Sequence, residues 1–200
     1  MLLREVEYAR PSSVDEAVRL LASHEGARAL AGGQTLVSVM KARAASPDVV
    51  VDLNRLDDLR AITVHGDTLQ LGAMATYTQM IGSSEVDVSR PILAEVAAQI
   101  ADVQVRNRGT IGGNVCSNDP TNHLPPLLVA LGASMTIRGA GGERTVPAEE
   151  FFLGVYMTAV GEGELLLRVS VPAAANAADG FASVTIGRDG TCIANAAASI

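Results

Sequence analysis

Arg28-Ala29-Leu30-Ala31-Gly32-Gly33-Gln34-Thr35-Leu36-Val37 is the stretch on which the fold turns. Arg28 to Ala31 reads as a short extended run, the glycines as a turn, and Thr35 to about Arg43 as a helix with Leu36, Val39 and Met40 on one side. A strand, a glycine turn and a helix in that order bring free backbone N–H groups to one point, where they favour an anion. Paired glycines also let backbone approach a bulky group and tolerate positive φ. A second pair stands in Thr110-Ile111-Gly112-Gly113-Asn114. Each pair is followed by hydrogen-bonding side chains, Gln34-Thr35 and Asn114. Successive N–H groups in such turns make anion-binding concavities, so the two loops are expected to close on one diphosphate from both sides.

These segments, with others in the same order, carry a resemblance. Leu30 to Leu36 followed by Met40 and Arg43, then Val50-Val51-Asp52-Leu53-Asn54, then Leu71-Gly72-Ala73-Met74-Ala75-Thr76 are similar to the FAD-binding medium subunit of molybdenum hydroxylases. The similarity continues through Gln104-Val105-Arg106-Asn107-Arg108-Gly109 into the second glycine pair. It closes with Tyr156-Met157-Thr158-Ala159 and Gly163-Glu164-Leu165-Leu166, and it runs from about Tyr8 to the chain's end. This is the family of carbon monoxide dehydrogenase and xanthine dehydrogenase. The resemblance implies an α+β fold: a two-lobed FAD-binding domain of the PCMH type, followed by the start of a C-terminal α/β domain. It places that domain at 1–175, with lobes at about 1–55 and 56–175. A linker and the opening hairpin of the next domain then occupy 176–200.

The site residues come from the same resemblance. Ala29, Leu30, Ala31, Gly32, Gly33, Gln34, Thr35 and Leu36 are expected to wrap the diphosphate. Thr110, Ile111, Gly112, Gly113 and Asn114 are expected to meet it from the other side. Leu166 matches a position that contacts the flavin through its backbone, and Ile100 an apolar position beside the ring system; both also read as core residues. His123 stands where many relatives have a cofactor-binding aspartate, with Asp119 as a nearby substitute, and histidine at such a place is also a common structural residue. Val184 occupies the place of a lysine found near the flavin in some relatives. Arg106 and Arg108 have two readings, an ordinary salt bridge or charge for the diphosphate and docking to an iron–sulfur subunit.

Composition bounds the rest. The 200 residues are 48% hydrophobic, enough for a sizeable core. Net charge is −7, aromatic residues make up 3% and tryptophan is absent, which argues against nucleic acid as a partner. No apolar run reaches the roughly 18–20 residues of a membrane span, and Met1-Leu2-Leu3-Arg4-Glu5-Val6-Glu7 does not resemble a signal peptide, so a cytoplasmic location is expected. Cys116 and Cys192 are too few for an iron–sulfur cluster and read as small buried side chains. Any metal is expected on another chain. Lys41, the only lysine, lacks the neighbours of a P-loop. Gly139-Ala140-Gly141-Gly142 reads as a hairpin tip rather than a dinucleotide fingerprint, because no helix follows it.

Other elements follow from local signals. Ser13 with Glu16 forms a capping box before an apolar face of Val14, Ala17, Val18, Leu21 and Ala22, with Gly26 as the stop. Val49 to Leu53, Thr68 to Leu71 and Leu165 to Val171 read as strands. Pro91 opens a helix through Ile92, Val96, Ala97 and Ile100, and another lies around Leu124 to Ala130. Met135 to Arg138 and Arg144 to Val146 read as a hairpin, and Phe181 to Ile186 with Cys192 to Ile200 as a second one, joined at Arg188-Asp189-Gly190.

By the resemblance, the function is electron transfer. A large subunit carries the molybdenum-pterin cofactor, and a small subunit carries two [2Fe–2S] clusters. FAD on this chain passes electrons onward to an external acceptor, in a dimer of heterotrimers. No residue here is expected to be catalytic toward the organic substrate or to bind metal. The alternatives are a self-contained flavoenzyme of the same superfamily, which would need a substrate domain of its own, and a structural module that has lost its flavin.

Overall fold

The computed structural model describes residues 3–174, 177–187 and 191–200. The N-terminal part is a three-stranded parallel sheet ordered β1 (Glu7–Ala9), β3 (Val49–Asp52), β2 (Arg28–Leu30), joined by α1 (Val14–Ser23) and α2 (Leu36–Lys41). Val49, Val50 and Val51 are buried, as a central parallel strand requires. Ser13 caps α1 by accepting from the Glu16 N–H at 3.2 Å. Glu16 does not close the expected box on Ser13. Its carboxylate takes the N–H and hydroxyl of Ser12 instead, at 2.7 and 2.8 Å. The helix ends at Ser23, and Gly26 turns the chain at φ 72°.

A 3-10 turn, Asp57–Arg60, leads to a five-stranded antiparallel sheet. Its order is β4 (Ile62–His65), β5 (Thr68–Gly72), β10 (Leu165–Pro172), β6 (Ser134–Gly139), β7 (Gly142–Pro147). Between β5 and β6 run α3 (Tyr77–Ile81), α4 (Ser84–Ser89), α5 (Ile92–Gln99), α6 (Val103–Arg108), α7 (Ile111–Ser117) and α8 (Leu124–Ala130). Between β7 and β10 lie α9 (Ala148–Phe151) and a small ribbon of β8 (Phe152–Gly154) with β9 (Met157–Thr158). Gly139 pairs with Gly142 at the tip of the β6–β7 hairpin, the turn expected there.

Strand β10 belongs to two cores at once. A register shift between Leu166 and Arg168 makes Leu167 a bulge residue. Leu166, Val169 and Val171 enter the larger core with Ile111, Leu124 and Ile137. Leu165 and Leu167 enter the smaller one with Val49, Val51 and Leu21. A bulge bends a strand and re-aims its side chains, which is how one strand serves both.

The last hairpin, β11 (Asp179–Ile186) with β12 (Thr191–Ser199), is held to the rest of the chain by packing and by an ion pair. Phe181 and Ala197 pack on the larger core. Arg90 ties it down, donating from Nε to the Pro172 carbonyl at 2.8 Å and pairing with Asp179 at 2.5 Å. Both partners of this pair are buried. The expected joining residues Arg188, Asp189 and Gly190, and Ala175-Asn176 of the linker, lie outside the described residues.

Breaking a buried pair strands a charge, which costs about 3–5 kcal/mol, whereas replacing both partners by apolar residues costs far less. Asp179→Asn is therefore expected to lower stability in urea denaturation by about that amount. The double variant Arg90→Met/Asp179→Leu is expected to be the more stable of the two.

Candidate functional site

The two glycine pairs sit side by side. A Cβ added to Gly32 would overlap the Arg108 carbonyl, and one added to Gly113 would lie 3.9 Å from the Ala31 Cβ. Gly32 is thus glycine because the second segment's backbone lies against it. Gly112 has a similar reason, since its Cβ would stand 2.6 Å from the Ala73 carbonyl oxygen. Gly33 holds φ 74°, the left-handed conformation that favours glycine.

The expectation of two open anion turns needs correcting at the second pair. Gly112 and Gly113 lie in the first turn of α7, and the local N–H groups are already used. Ile111 donates to Ala75 O at 3.0 Å, Gly112 to Ala73 O at 2.9 Å, Gly113 to the Thr110 hydroxyl at 3.0 Å and Asn114 to Thr110 O at 3.0 Å. Thr110 is a capping residue, and its hydroxyl fills the place an anion would take.

The first pair is different. Among the described residues, the N–H groups of Gly32, Gly33, Gln34 and Thr35 have no acceptor, and Thr35 makes no side-chain cap on α2. The expected helix to Arg43 ends at Lys41, with Arg43 at φ 62°. A cavity of about 400 Å³ opens over this loop, lined by Leu30 to Gln34 together with Val37, Ser38, Lys41, Asn54 and Arg108. That is within the size range of ligand pockets, roughly 300–1,000 Å³.

Asn54 fixes the loop from behind. Its amide donates to Ala31 O at 3.1 Å and to Asp52 Oδ1 at 2.6 Å, while Arg60 donates to Asn54 Oδ1 at 3.2 Å. Asp52 also accepts from the Tyr8 hydroxyl, and Arg10 stands 3.6 Å away. Although burial opposes ionisation, these donors and the Arg10 charge hold the Asp52 carboxyl below its ordinary range. Arg60 reaches the Met74 carbonyl at 3.3 Å, next to the Ala73 carbonyl that receives Gly112. One hydrogen-bonded brace therefore spans both loops.

The remaining expected residues occupy other places. Ala29 pairs with Val51 in the parallel sheet, and Leu36 opens α2. Ile100 ends α5, half-buried on the core, and Leu166 is buried in β10. Asp119 serves its own turn, accepting from Thr121 N at 2.8 Å and from the Tyr156 hydroxyl at 3.1 Å. Arg106 caps the α5 end by donating to Ile100 O and Ala101 O at 3.0 and 2.7 Å, so its role is structural. Lys41, Asn54 and Arg108 line the cavity although no local pattern singled out Lys41 or Asn54 as site residues.

Asn114 and His123 stand out by their chemistry. Both are buried, and Asn114 Oδ1 and His123 Nε2 are the buried side-chain atoms left without a partner among the described residues. Asn114 donates its amide to the Tyr77 hydroxyl at 2.9 Å, and burial pushes that phenol up to about 12. His123 packs against Phe181 at a centroid distance of 5.5 Å, the rings tilted by 39°. A buried polar atom with no partner costs about 1–3 kcal/mol, so each is suited to a hydroxyl-bearing ligand. Cys192 is buried as expected, whereas Cys116 is only half-buried; desolvation still pushes its thiol up to about 12, where it is inert. No group of three or more His, Cys, Asp or Glu among the described residues could hold a metal ion. Among them, no helix is long and apolar enough to cross a membrane.

Residues 4–174 match the family described as the FAD binding domain in molybdopterin dehydrogenase. The chain belongs to that family. It is 46% identical over 174 residues to the carbon monoxide dehydrogenase medium chain of Hydrogenophaga pseudoflava, covering 86% of this chain and 61% of that one. A structure of that organism's carbon monoxide dehydrogenase, lacking the Mo-pyranopterin moiety of the molybdenum cofactor, matches with TM-score 0.95 and 42% identity. The match covers 98% of this chain and 69% of the other. Quinoline 2-oxidoreductase from Pseudomonas putida 86 matches with TM-score 0.96 and 34% identity, over 100% of this chain and 70% of the other. The chain thus spans about three fifths of its curated relative's length. Its fold is the mixed helix and sheet arrangement of these medium chains, and the residues at the first glycine loop fit the diphosphate of FAD.

Burial holds the His123 imidazole below its ordinary value of 6.5. The unfolded chain then binds this proton more readily, so the stability due to neutral His123 is present above pH 6.5 and lost as pH falls through the depressed value. Without flavin, wild type is expected to lose more stability than His123→Gln between pH 7.5 and 5.5 in urea titrations. Parallel pH curves would remove His123 as the cause.

Proposed function

We propose that this chain is the FAD-carrying electron-transfer subunit of a molybdenum hydroxylase. One observation carries the proposal: at Gly32 to Thr35 four successive N–H groups have no acceptor among the described residues, and Gly32, Gly33 and Gln34 line a cavity together with Arg108, from the segment that leads into the second glycine pair. FAD bound there supplies two-electron acceptance and one-electron release. The chain's own residues bind and orient it. Gly32, Gly33, Gln34 and Thr35 donate to the diphosphate, with Ala29 to Ala31 and Leu36 as the walls of that turn. Thr110 to Asn114 set the opposite wall by position rather than by N–H donation. Asn114 Oδ1 and His123 Nε2 take hydroxyl groups of the cofactor, and Ile100 and the Leu166 backbone border the flavin ring.

The same proposal gives the partners. An iron–sulfur small subunit with two [2Fe–2S] clusters delivers electrons, a molybdenum large subunit oxidises the organic substrate, and the whole is a dimer of heterotrimers. The medium-chain name of the Hydrogenophaga relative supports this division. We further read the FAD-binding domain as residues 1–175, with lobes at about 1–55 and 56–175, and 176–200 as the start of a C-terminal domain. The two separate hydrophobic cores support the lobes. The working location is the cytoplasm. A self-contained flavoenzyme is disfavoured because no cluster of acid, base and nucleophile is found beside the cavity among the described residues.

Gly113→Val tests the site. The backbone there is helical, and a Cβ meets only the Thr110 hydroxyl at 3.0 Å and the Ala31 Cβ at 3.9 Å, so the fold is expected to survive. The branched side chain then fills the gap between the loops, and flavin absorbance after gel filtration is expected to drop by at least about tenfold, a loss of ~1.4 kcal/mol. Gly33→Val adds backbone strain of about 1–3 kcal/mol and is expected to lose flavin and some stability together. Full FAD occupancy in both variants would place the cofactor elsewhere.

The division of labour has its own test. In the purified complex, organic substrate is expected to bleach the flavin absorbance. Once the other subunits are removed, only a chemical reductant such as dithionite is expected to do so. Substrate-driven bleaching of this chain alone would favour the self-contained flavoenzyme.

A further inference from the structure

The cavity over the first glycine loop is electropositive in a chain whose net charge is −7. Lys41 and Arg108 line it, and none of its lining residues is a carboxylate. Among the described residues, neither side chain meets an acidic partner, whereas Arg10, Arg60, Arg90, Arg138, Arg144 and Arg168 all do. The two cations come from different parts of the chain. Lys41 ends α2, the helix that follows the loop, while Arg108 ends α6 and is brought in by the contact of its own carbonyl with Gly32.

We propose that Lys41 and Arg108 are specificity-determining residues that supply one positive charge for each phosphate of a bound dinucleotide's diphosphate. The inference rests on the FAD reading above and extends it from backbone to charge. Backbone N–H groups carry only partial charge and distinguish poorly between one phosphate and two. Two cations beside the loop, one from α2 and one from α6, match a diphosphate and leave a single phosphate with one of them unused. Charge-assisted hydrogen bonds are also roughly twice as strong as neutral ones, so these side chains carry a large share of affinity. Gly32 acts here as a positioning residue. A side chain at this position would push the Arg108 backbone away and withdraw the guanidinium from the cavity.

The test uses the chain stripped of flavin, with FAD affinity measured by fluorescence at 50 and 500 mM sodium chloride. The variants are Lys41→Gln, Arg108→Gln and Arg108→Lys. Both native side chains are exposed, so the flavin-free melting temperature is expected to stay unchanged. Each Gln variant is expected to weaken FAD binding about ten- to a hundredfold, the range of a lost charge-assisted bond. The wild-type fall in affinity between the two salt concentrations is expected to flatten in the Gln variants, because screening acts on the charges they lack. Arg108→Lys is expected to retain most of the affinity and the salt dependence. Unchanged affinity in both Gln variants would overturn the proposal, as would weakened affinity with the wild-type salt dependence. Failure of the wild-type chain to bind FAD at all would overturn the flavin reading itself.

Discussion

Backbone lying directly on backbone is the constraint on which the rest of this structure depends. Three glycines permit it: Gly32 against the Arg108 carbonyl, Gly112 against Ala73, and Gly72 against the Leu59 carbonyl. Each removes a Cβ that would otherwise hold two segments apart. The first brings the glycine loops together, the second seats α7 on the end of β5, and the third presses the turn after Asn54 onto the same strand. The hydrogen bonds of Asn54 and Arg60 cross this junction and fix the spacing that the glycines allow.

The resulting site is asymmetric. One loop keeps its N–H groups without acceptors among the described residues and has Lys41 and Arg108 beside it. The other has spent its N–H groups on Thr110, Ala73 and Ala75, which makes it a rigid wall. Rigidity on one side and open donors on the other is a workable design for a bound anion, because the donors need not be released from internal partners before they bind. The unsatisfied atoms of Asn114 and His123 follow the same logic on a smaller scale. The free energy cost of leaving them without a partner is what a ligand that satisfies them recovers.

The scaffold supports this by sharing elements. The bulge at Leu167 lets β10 belong to both cores, so the core of the small parallel sheet and that of the larger antiparallel sheet share one strand. The Arg90–Asp179 pair does the corresponding task for the last hairpin, which carries Phe181 onto His123. Ion pairs at such places specify an arrangement more than they stabilise it.

The sequence by itself determined the strong local periodicities: the capped α1, the all-buried β3, the β6–β7 hairpin, β10 and the terminal hairpin all appear where their patterns place them. It also determined the family, because ordered motifs survive in the linear string. It concealed β1, β4, α3, α4 and α6, which are too short for a periodic signal, and it misplaced the second glycine pair as an open turn. Glycine is a poor helix former, so Gly112 and Gly113 mask the helix start that the Thr110 cap marks. The docking of that segment on Ala73 and Ala75, together with the Thr110 cap, makes it one. The use of Gly32, the brace from Asn54 and the entry of Lys41 and Arg108 into one cavity were likewise decided by tertiary structure. Each depends on which distant backbone lies within a few ångströms, and a linear pattern carries no such distance.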